Sequence, residues 1–406
     1  MLDIQLFRDD PERIKESERR RGKDPDRVDR VVALDEEWRA TRQELDELRQ
    51  TRNEVSDEIA ELKRDGEDAE EKIQRMQEVK EQIAELETEE EELRQERDEE
   101  RYKIGNLMHE SVPDGADEED NEELSRWEPD DGRDSDAALG ADIMEEWGLL
   151  ESERAVEIAG ERAYFLKGDL LQLNQALIRF GLDFLRERGW ELMQTPYMMN
   201  HDHMRAAAEL EDFHEQLYHL ERDDRYLIAT SEQPLAAHHF DELLQPDDLP
   251  RKYGGFSTNF RREAGKHGEE TRGLWRVHRF DKVEQFIFCE PDASWEFHDQ
   301  LLANEEEIMQ MLGLPYRVVN VCAGDLGDTP AKKYDIEVWR PPLGEYGEVT
   351  SCSNCTDYQA RKVQTRVRRS EENEPVHTLN ATLLATGRII TAIMENNQTG
   401  DGRVEI

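Results

Sequence analysis

The chain has 406 residues, with 53 Lys or Arg against 98 Asp or Glu, a formal net charge of −45 and 36% hydrophobic residues. That length exceeds what one core usually accommodates, so two domains are expected, and the apolar share still supports packed cores. The acid is spread along the whole chain, which excludes a single disordered acidic tail and disfavours nucleic-acid binding in ordinary buffer. In molar salt the Debye length falls to about 3 Å and that repulsion vanishes, so the composition reads as that of a halophile's protein. No secretory signal or apolar 18-mer is present, which implies a cytoplasmic chain with no membrane segment and reduced thiols at Cys289, Cys322, Cys352 and Cys355.

From the N-terminus, residues Leu34, Trp38, Thr41, Leu45, Leu48, Arg52, Val55, Ile59 and Leu62 follow 4-3-4-3 spacing. "KRDGED" breaks the pattern at Gly66, and a second stripe follows at Met76, Val79, Ile83, Leu86 and Leu93. Two long helices joined by a short turn predict an antiparallel coiled-coil hairpin over about 28–104, in a helical domain 1–110. The first helix should be roughly 50 Å long, and so polar a hairpin has to project from any core. The stretch 111–138 reads as an acidic linker or junction, loop-rich from Gly105 to Asp136, and 139–406 as the second domain. Within it, Leu171–Gly189 is an amphipathic helix, "WELMQTPYMM" a strand ending near Pro196, and "RYLIATSEQPLAAHHF" a strand feeding a helix. "FRREAG", "WRVHRFDKVEQFIFCEP", "YRVVNVC", "YDIEVWRP" and "GEVTSCSNC" are strand-like, and Ala381–Asn397 is read as the last helix. Consecutive hairpin-linked strands predict a mainly antiparallel sheet with flanking helices, an α+β fold.

Arginine is concentrated in "TNFRREAGKHGEETRGLWRVHRFDKVEQF" (Thr258–Phe286), which carries Arg261, Arg262, Arg272, Arg276 and Arg279. A guanidinium fork binds phosphate bidentately, so this cluster in an acidic chain points to an anionic substrate. There is no GxGxxG and no Walker lysine loop, so any nucleotide is held by another device. Cys352-Ser-Asn-Cys355 has zinc-ligand spacing without a second pair or a nearby His pair, and no zinc is expected. His238-His239 and His201-Asp-His203 do not converge on one ion and are read as surface or core histidines.

These segments resemble the class II aminoacyl-tRNA synthetases. "FRREAG…TRGLWRVHRFDKVEQF" is similar to their motif 2, the helix and strand ending at Pro196 to motif 1, and Gly387-Arg388 with "MENN" to motif 3. "ATSEQPL", "KKYDIEVW", "EVTSCSNCTDYQARK" and the N-terminal hairpin resemble the seryl-tRNA synthetase family in particular. The resemblance implies ATP-dependent attachment of L-serine to tRNA(Ser) through a seryl-adenylate, extending to tRNA(Sec) as in the family, by a homodimer paired through motif 1. The implied fold is a tRNA-binding coiled-coil arm on a class II antiparallel catalytic domain.

It also implies roles. Arg261 clamps the α-phosphate, Arg388 takes the far end of ATP, and Glu263 reads the adenine amino group or orders the loop; these three are the catalytic candidates. Phe280 stacks on adenine, and Arg262, Val277, Val349 and Thr350 complete the ATP site. Glu348 and Ser351 supply hard oxygens for Mg²⁺. Thr230, Ser231, Glu232, Glu284 and Thr382 bind serine, with Ser231 also placed to cap the following helix. The loop Ala264–Trp275, with Lys266 and Arg272, meets the tRNA acceptor end. Two departures stand out. Ala381 and Leu383 flank Thr382 where the family has glycines, and 9 residues follow Asn397 where the family continues. The alternatives are another class II ligase of prolyl, threonyl or histidyl type, a carrier-protein aminoacylating paralogue, and a coiled-coil scaffold without activity. A late anticodon domain would mark the first, a missing arm the second, and loss of Arg261, Glu263, Glu348 or Arg388 the third.

The acidity makes its own prediction. Between about 0.1 M and about 3 M KCl, circular dichroism should show a fold that tightens, and activity should rise into the molar range, as screening relieves self-repulsion. Full activity and a stable fold at the low end, with steady inhibition above it, would contradict the halophile reading.

Overall fold

The computed structural model describes residues 1–129, 137–208, 214–264, 272–399 and 402–406. It divides into two compact units, Met1–Gly105 and Asn106–Ile406.

The first unit is helical. Two short helices, Ile4–Asp9 and Pro11–Arg20, begin on the side-chain caps Asp3 and Asp10. They lead into α1 (Asp26–Asp65) and α2 (Glu70–Tyr102). At 40 residues α1 is about 60 Å long, longer than the stripe predicts, because the helix begins before Leu34. It stops at Gly66, whose φ of 74° is the left-handed conformation that glycine adopts without a Cβ penalty. Leu45, Val79 and Ile83 form the buried seam, with Leu48 and Leu86 packed against them. Trp38 is half-buried: its indole donates to Glu90 Oε1 at 2.7 Å, and the Arg97 guanidinium stands 4.7 Å from its ring centroid.

Where the seam leaves the heptad pattern, charge replaces apolar packing. Asp35 is 1% exposed and accepts from Arg8 Nε at 2.7 Å, Arg39 Nε at 3.0 Å and Arg97 Nη1 at 3.2 Å. Burial alone would raise its carboxyl, but the Arg8 guanidinium, joined by Arg97 and Arg39, holds it below the usual range.

The second unit is built on an eight-stranded sheet. In chain order its elements are β1 (Glu122–Trp127), α3 (Gly168–Glu187), β2 (Glu191–Gln194), α4 (Glu232–Ala236), β3 (Arg251–Phe260), β4 (Arg279–Cys289), α5 (Ser294–Met311), β5 (Tyr316–Asn320), β6 (Lys332–Arg340), β7 (Glu345–Thr356), β8 (His377–Ala385) and α6 (Thr386–Asn396). The spatial order is β1-β5-β6-β7-β8-β4-β3-β2. All neighbours are antiparallel except β2 and β3. Residues from α3, α5 and α6 share one large core cluster with the sheet, including Val283, Ile287, Ala381 and Leu383. A second cluster gathers α4 with Phe286 and Phe288 of β4 and with Tyr226 and Met199 of a small three-stranded sheet.

Three expectations change. The stretch Ala381–Asn397 is not one helix, because β8 runs through Thr382 to Ala385 before α6 begins. β8 is buried on both faces, so its apolar run lacks the alternation that would separate it from a helix. "FRREAG" is not a strand: β3 ends at Phe260, and Glu263 has φ of 52°, a conformation no strand accommodates. Glu122–Trp127 lies in the stretch read as loop but pairs with β5. As an edge strand with nearly every side chain in solvent, it carries no hydrophobic pattern to read.

The Asp35 cluster yields a prediction for the helical unit. Asp35→Asn removes the carboxylate that Arg8, Arg39 and Arg97 share, leaving Arg97 with Asp98, and should cost about 2 kcal/mol in urea unfolding at neutral pH. The folded carboxyl is depressed, so its contribution is present above the ordinary carboxylate range and lost as pH falls through the folded value. The gap between wild type and variant should therefore close in acid. A gap that is absent at neutral pH, or independent of pH, would contradict the assignment.

Candidate active site

Along β4, Phe280, Lys282, Glu284, Phe286 and Phe288 alternate onto one face. The last two pack into the second cluster, while the first three line a cavity on that side of the sheet. Its wall also takes Thr230 and Glu232 from the start of α4, and Arg261, Glu263, Trp275, Arg276 and Val277 from the segment joining β3 to β4. β7 contributes Glu348, Val349, Thr350 and Ser351, β8 contributes Asn380 and Thr382, and α6 contributes Gly387 and Arg388.

Two register shifts aim these side chains. In β7 the pairing steps from Thr350↔Ile336 to Glu348↔Glu337, leaving Val349 as an extra residue. Residues three apart on a regular strand face opposite ways; the extra residue brings Glu348 and Ser351 onto the same wall. In β8 the pairing steps from Leu384↔Val283 to Thr382↔Glu284, with Leu383 as the extra residue. Thr382 is thereby set beside Glu284 on the cavity side, while Ala381 and Leu383 belong to the opposite core. The two residues that depart from the family's glycines thus point away from the cavity.

Glycine is required where two elements meet closely. A Cβ on Gly387 would stand 2.6 Å from the Leu274 carbonyl, and one on Gly347 would stand 2.4 Å from Trp275 Cζ2.

Arg261 lies just past β3. Its Nε donates to the Ala229 carbonyl at 3.2 Å, and its guanidinium stands 5.1 Å from the Phe280 ring centroid. Burial lowers its pKa, and the neighbouring Arg388 charge lowers it further. Two guanidinium groups held close in a desolvated wall make a strong anion site. Arg388 donates to the Glu348 carbonyl at 2.7 Å and pairs with its carboxylate at 3.4 Å. Desolvation opposes the charge on Glu348, but Arg388, Lys333 and Arg261 outweigh it and hold the carboxyl below its ordinary range. Glu348 is thus an ionised hard-oxygen donor beside the Ser351 hydroxyl. That set suits Mg²⁺, which takes one or two protein oxygens and completes its shell with water and phosphate.

The Glu263 carboxylate pairs with Arg276 at 3.2 Å and its carbonyl accepts from Arg162 at 3.1 Å, so a strained left-handed residue is pinned at both ends. Thr230 Oγ1 accepts from the Glu232 amide at 3.2 Å, and the Glu232 carboxylate accepts from Gln359 at 2.9 Å. Glu284 is buried: burial pushes its carboxyl up, against the pull of Lys282, Arg261 and Thr382.

Not every predicted residue reaches the cavity. Arg262 is exposed outside the wall. Ser231 is fully buried but outside the wall, and it makes no cap bond with its side chain, because Thr230 supplies that acceptor instead. Arg272 is held by Asp142 at 3.0 Å and Glu145 at 2.5 Å, and Lys266 lies outside the described residues. His239 spends its two nitrogens on Glu242 and Tyr253. Cys352 and Cys355 are buried, and Asn380 donates to the Cys355 sulfur at 3.6 Å. Lys282 and Asn380 line the cavity without any role in the sequence reading, and Arg276 of the arginine cluster and Trp275 line it too. Lys282 was legible, since it stands two residues before Glu284 on a strand and therefore on the same face.

Comparison with known proteins agrees with this geometry. Residues 1–108 match the seryl-tRNA synthetase N-terminal domain, and residues 217–397 match the tRNA synthetase class II core domain (G, H, P, S and T). A serine–tRNA ligase of Helianthus annuus is 44% identical over 414 residues, covering 99% of this chain and 94% of the relative. The crystal structure of seryl-tRNA synthetase from Pyrococcus horikoshii complexed with ATP has a TM-score of 0.94 at 41% identity, covering 100% of this chain and 96% of that one. The cytoplasmic serine–tRNA ligase from Naegleria fowleri in complex with AMP has a TM-score of 0.91 at 37% identity, with the same coverage.

Proposed function

The chain belongs to the seryl-tRNA synthetase family, and from that premise we propose that its cavity carries out both steps of serine attachment to tRNA(Ser). The activity is that of a class II serine–tRNA ligase. In the first step the serine carboxylate attacks the α-phosphorus of ATP and pyrophosphate leaves. In the second a hydroxyl of the terminal tRNA ribose attacks the adenylate carbonyl and releases AMP. The observation that carries the reading is one cavity wall bearing Arg261 and Arg388 together with Thr230, Glu232, Glu284 and Thr382.

The first step brings two anions together and builds charge on phosphorus. Fixed guanidinium groups that need no reorganisation stabilise that charge selectively in the transition state. Arg261 serves the α-phosphate and Arg388 the far end of ATP, with adenine on Phe280 inside the turn held by Glu263. Glu348 and Ser351 would hold Mg²⁺, which neutralises phosphate charge when bound. Glu232 and Glu284 receive the serine ammonium, and Thr382 and Glu284 its hydroxyl. Buried partners for a hydroxyl reject alanine, because they would be left unpaired.

The helical unit is the tRNA grip. Serine tRNAs differ in anticodon, and a long polar hairpin can follow an RNA helix by backbone and 2′-hydroxyl contacts. Homodimer pairing through the motif 1 stretch is supported by the exposed Leu171 and Leu192 within it and by the exposed Tyr197 and Met198 directly after it.

Pyrophosphate exchange with a panel of amino acids is the test. Serine should drive it, alanine and threonine far less. Arg261→Ala and Arg388→Ala should each lower it by about 100-fold, near 3 kcal/mol, with the fold intact. Deleting Leu34–Leu93 across a short Gly linker should leave exchange in place and abolish tRNA charging. Exchange driven better by another amino acid, or charging that survives the deletion, would overturn the respective assignment.

A further inference from the structure

Lys282 has no role in the reading above, yet it stands inside the amino-acid pocket. Its side chain is 7% exposed. Its ammonium donates to Thr230 Oγ1 at 2.6 Å, reaches Thr382 Oγ1 at 3.5 Å and is ion-paired with Glu284. It therefore touches three of the residues assigned to serine. Glu284 Oε2 lies against this ammonium and is itself buried, so the pair is shielded from solvent.

The other charges of the wall give this pair its meaning. Arg276 meets Glu263 at 3.2 Å, and Arg388 meets Glu348 at 3.4 Å. Lys282 with Glu284 is the third such pair; Arg261 donates to the neutral Ala229 carbonyl and Glu232 accepts from the neutral Gln359 amide, so the cations and carboxylates named on the wall balance. A zwitterionic amino acid brings no net charge, so a pocket that receives it is best balanced before it arrives. Without Lys282, the wall would carry an excess carboxylate in a desolvated place.

We propose that Lys282 is a positioning residue that keeps the Glu284 carboxylate charged and turned into the pocket, matching the site to a zwitterionic amino acid with an uncharged side chain. The inference rests on the serine reading of this cavity. The groups that face Glu284 are Lys282 on its own strand, Thr382 on β8 and Arg261 past β3, with Glu305 of α5 and Cys352 of β7 behind the sheet. Glu232 lines the same cavity from α4. Burial is the largest influence on Glu284 and pushes it up; Lys282 is the first of the groups that oppose it. Removing the ammonium therefore favours the protonated acid, which cannot receive an ammonium as a counter-ion. Raising pH restores the charge.

The test is serine-dependent pyrophosphate exchange by the full chain and its variants between about pH 6.5 and about pH 8.5. In Lys282→Met the KM for serine should rise by about tenfold or more near neutrality, and fall back as pH rises. The KM for ATP should move little by comparison. Adding Glu284→Gln should abolish that pH slope. Lys282→Arg retains the charge and should show the flat profile of the wild type, which keeps the test open if the Met variant does not fold. A KM rise in Lys282→Met that is the same at every pH, or a slope that survives in the double variant or appears in Lys282→Arg, overturns the proposal. A wild type that activates serine beside such a result defeats this inference alone. A wild type that activates no serine defeats the parent reading and this inference together.

Discussion

Two anions have to be brought within bonding distance inside a chain whose formal charge is −45. That constraint shapes the second unit. The cations that meet it are few, and each is held by a short, specific contact: Arg261 by the Ala229 carbonyl, Arg388 by Glu348, Arg276 by Glu263 and Lys282 by Thr230 and Glu284. A guanidinium positioned in this way contributes to the transition state without reorganising, which is what electrostatic catalysis requires. The acidic remainder of the surface then governs solubility and salt response, while the local field in the cavity is set by neighbours a few ångströms away.

Rigidity comes from the sheet. Residues of β4, β7 and β8 supply most of the charged and polar wall, and α3, α5 and α6 back these strands from the opposite side. A regular strand presents alternate residues, so it could not place Glu348 with Ser351 on one wall. The extra residue Val349 solves this by shifting register next to the cavity, and Leu383 does the same in β8 to set Thr382 beside Glu284. The helical unit answers a different demand. Its seam of Leu45, Val79 and Ile83 is thin, and the Asp35 cluster adds a charged clasp, so a long hairpin is held with little apolar surface.

Much of this was legible in the sequence. The hairpin followed from heptad spacing and from a glycine break that the structure places at the end of α1. Arg261, Arg388, Glu263, Phe280, Glu284, Glu348, Ser351, Thr230, Glu232 and Thr382 do share one cavity. What was missed has physical causes. β8 lost its alternation because both faces are buried, and it was read as part of α6. β1 lost its pattern because nearly all of it is in solvent. The extra residues at Val349 and Leu383 leave no trace in composition, since any residue can fill them. Position in "TSE" assigns Ser231 to serine, but its Cβ packs beside Gly255 of β3 and Thr230 makes the cap. Lys282 was within reach of the period-2 rule.

The central claim is that one cavity holds the serine and nucleotide halves of a single intermediate. Calorimetric binding of a non-hydrolysable sulfamoyl analogue of seryl-adenylate tests it most directly. The account predicts one site per chain, competition with both ATP and serine, and affinity at least about 100-fold above either substrate alone. An analogue that binds no more tightly than ATP, or that leaves serine binding unaffected, would contradict it.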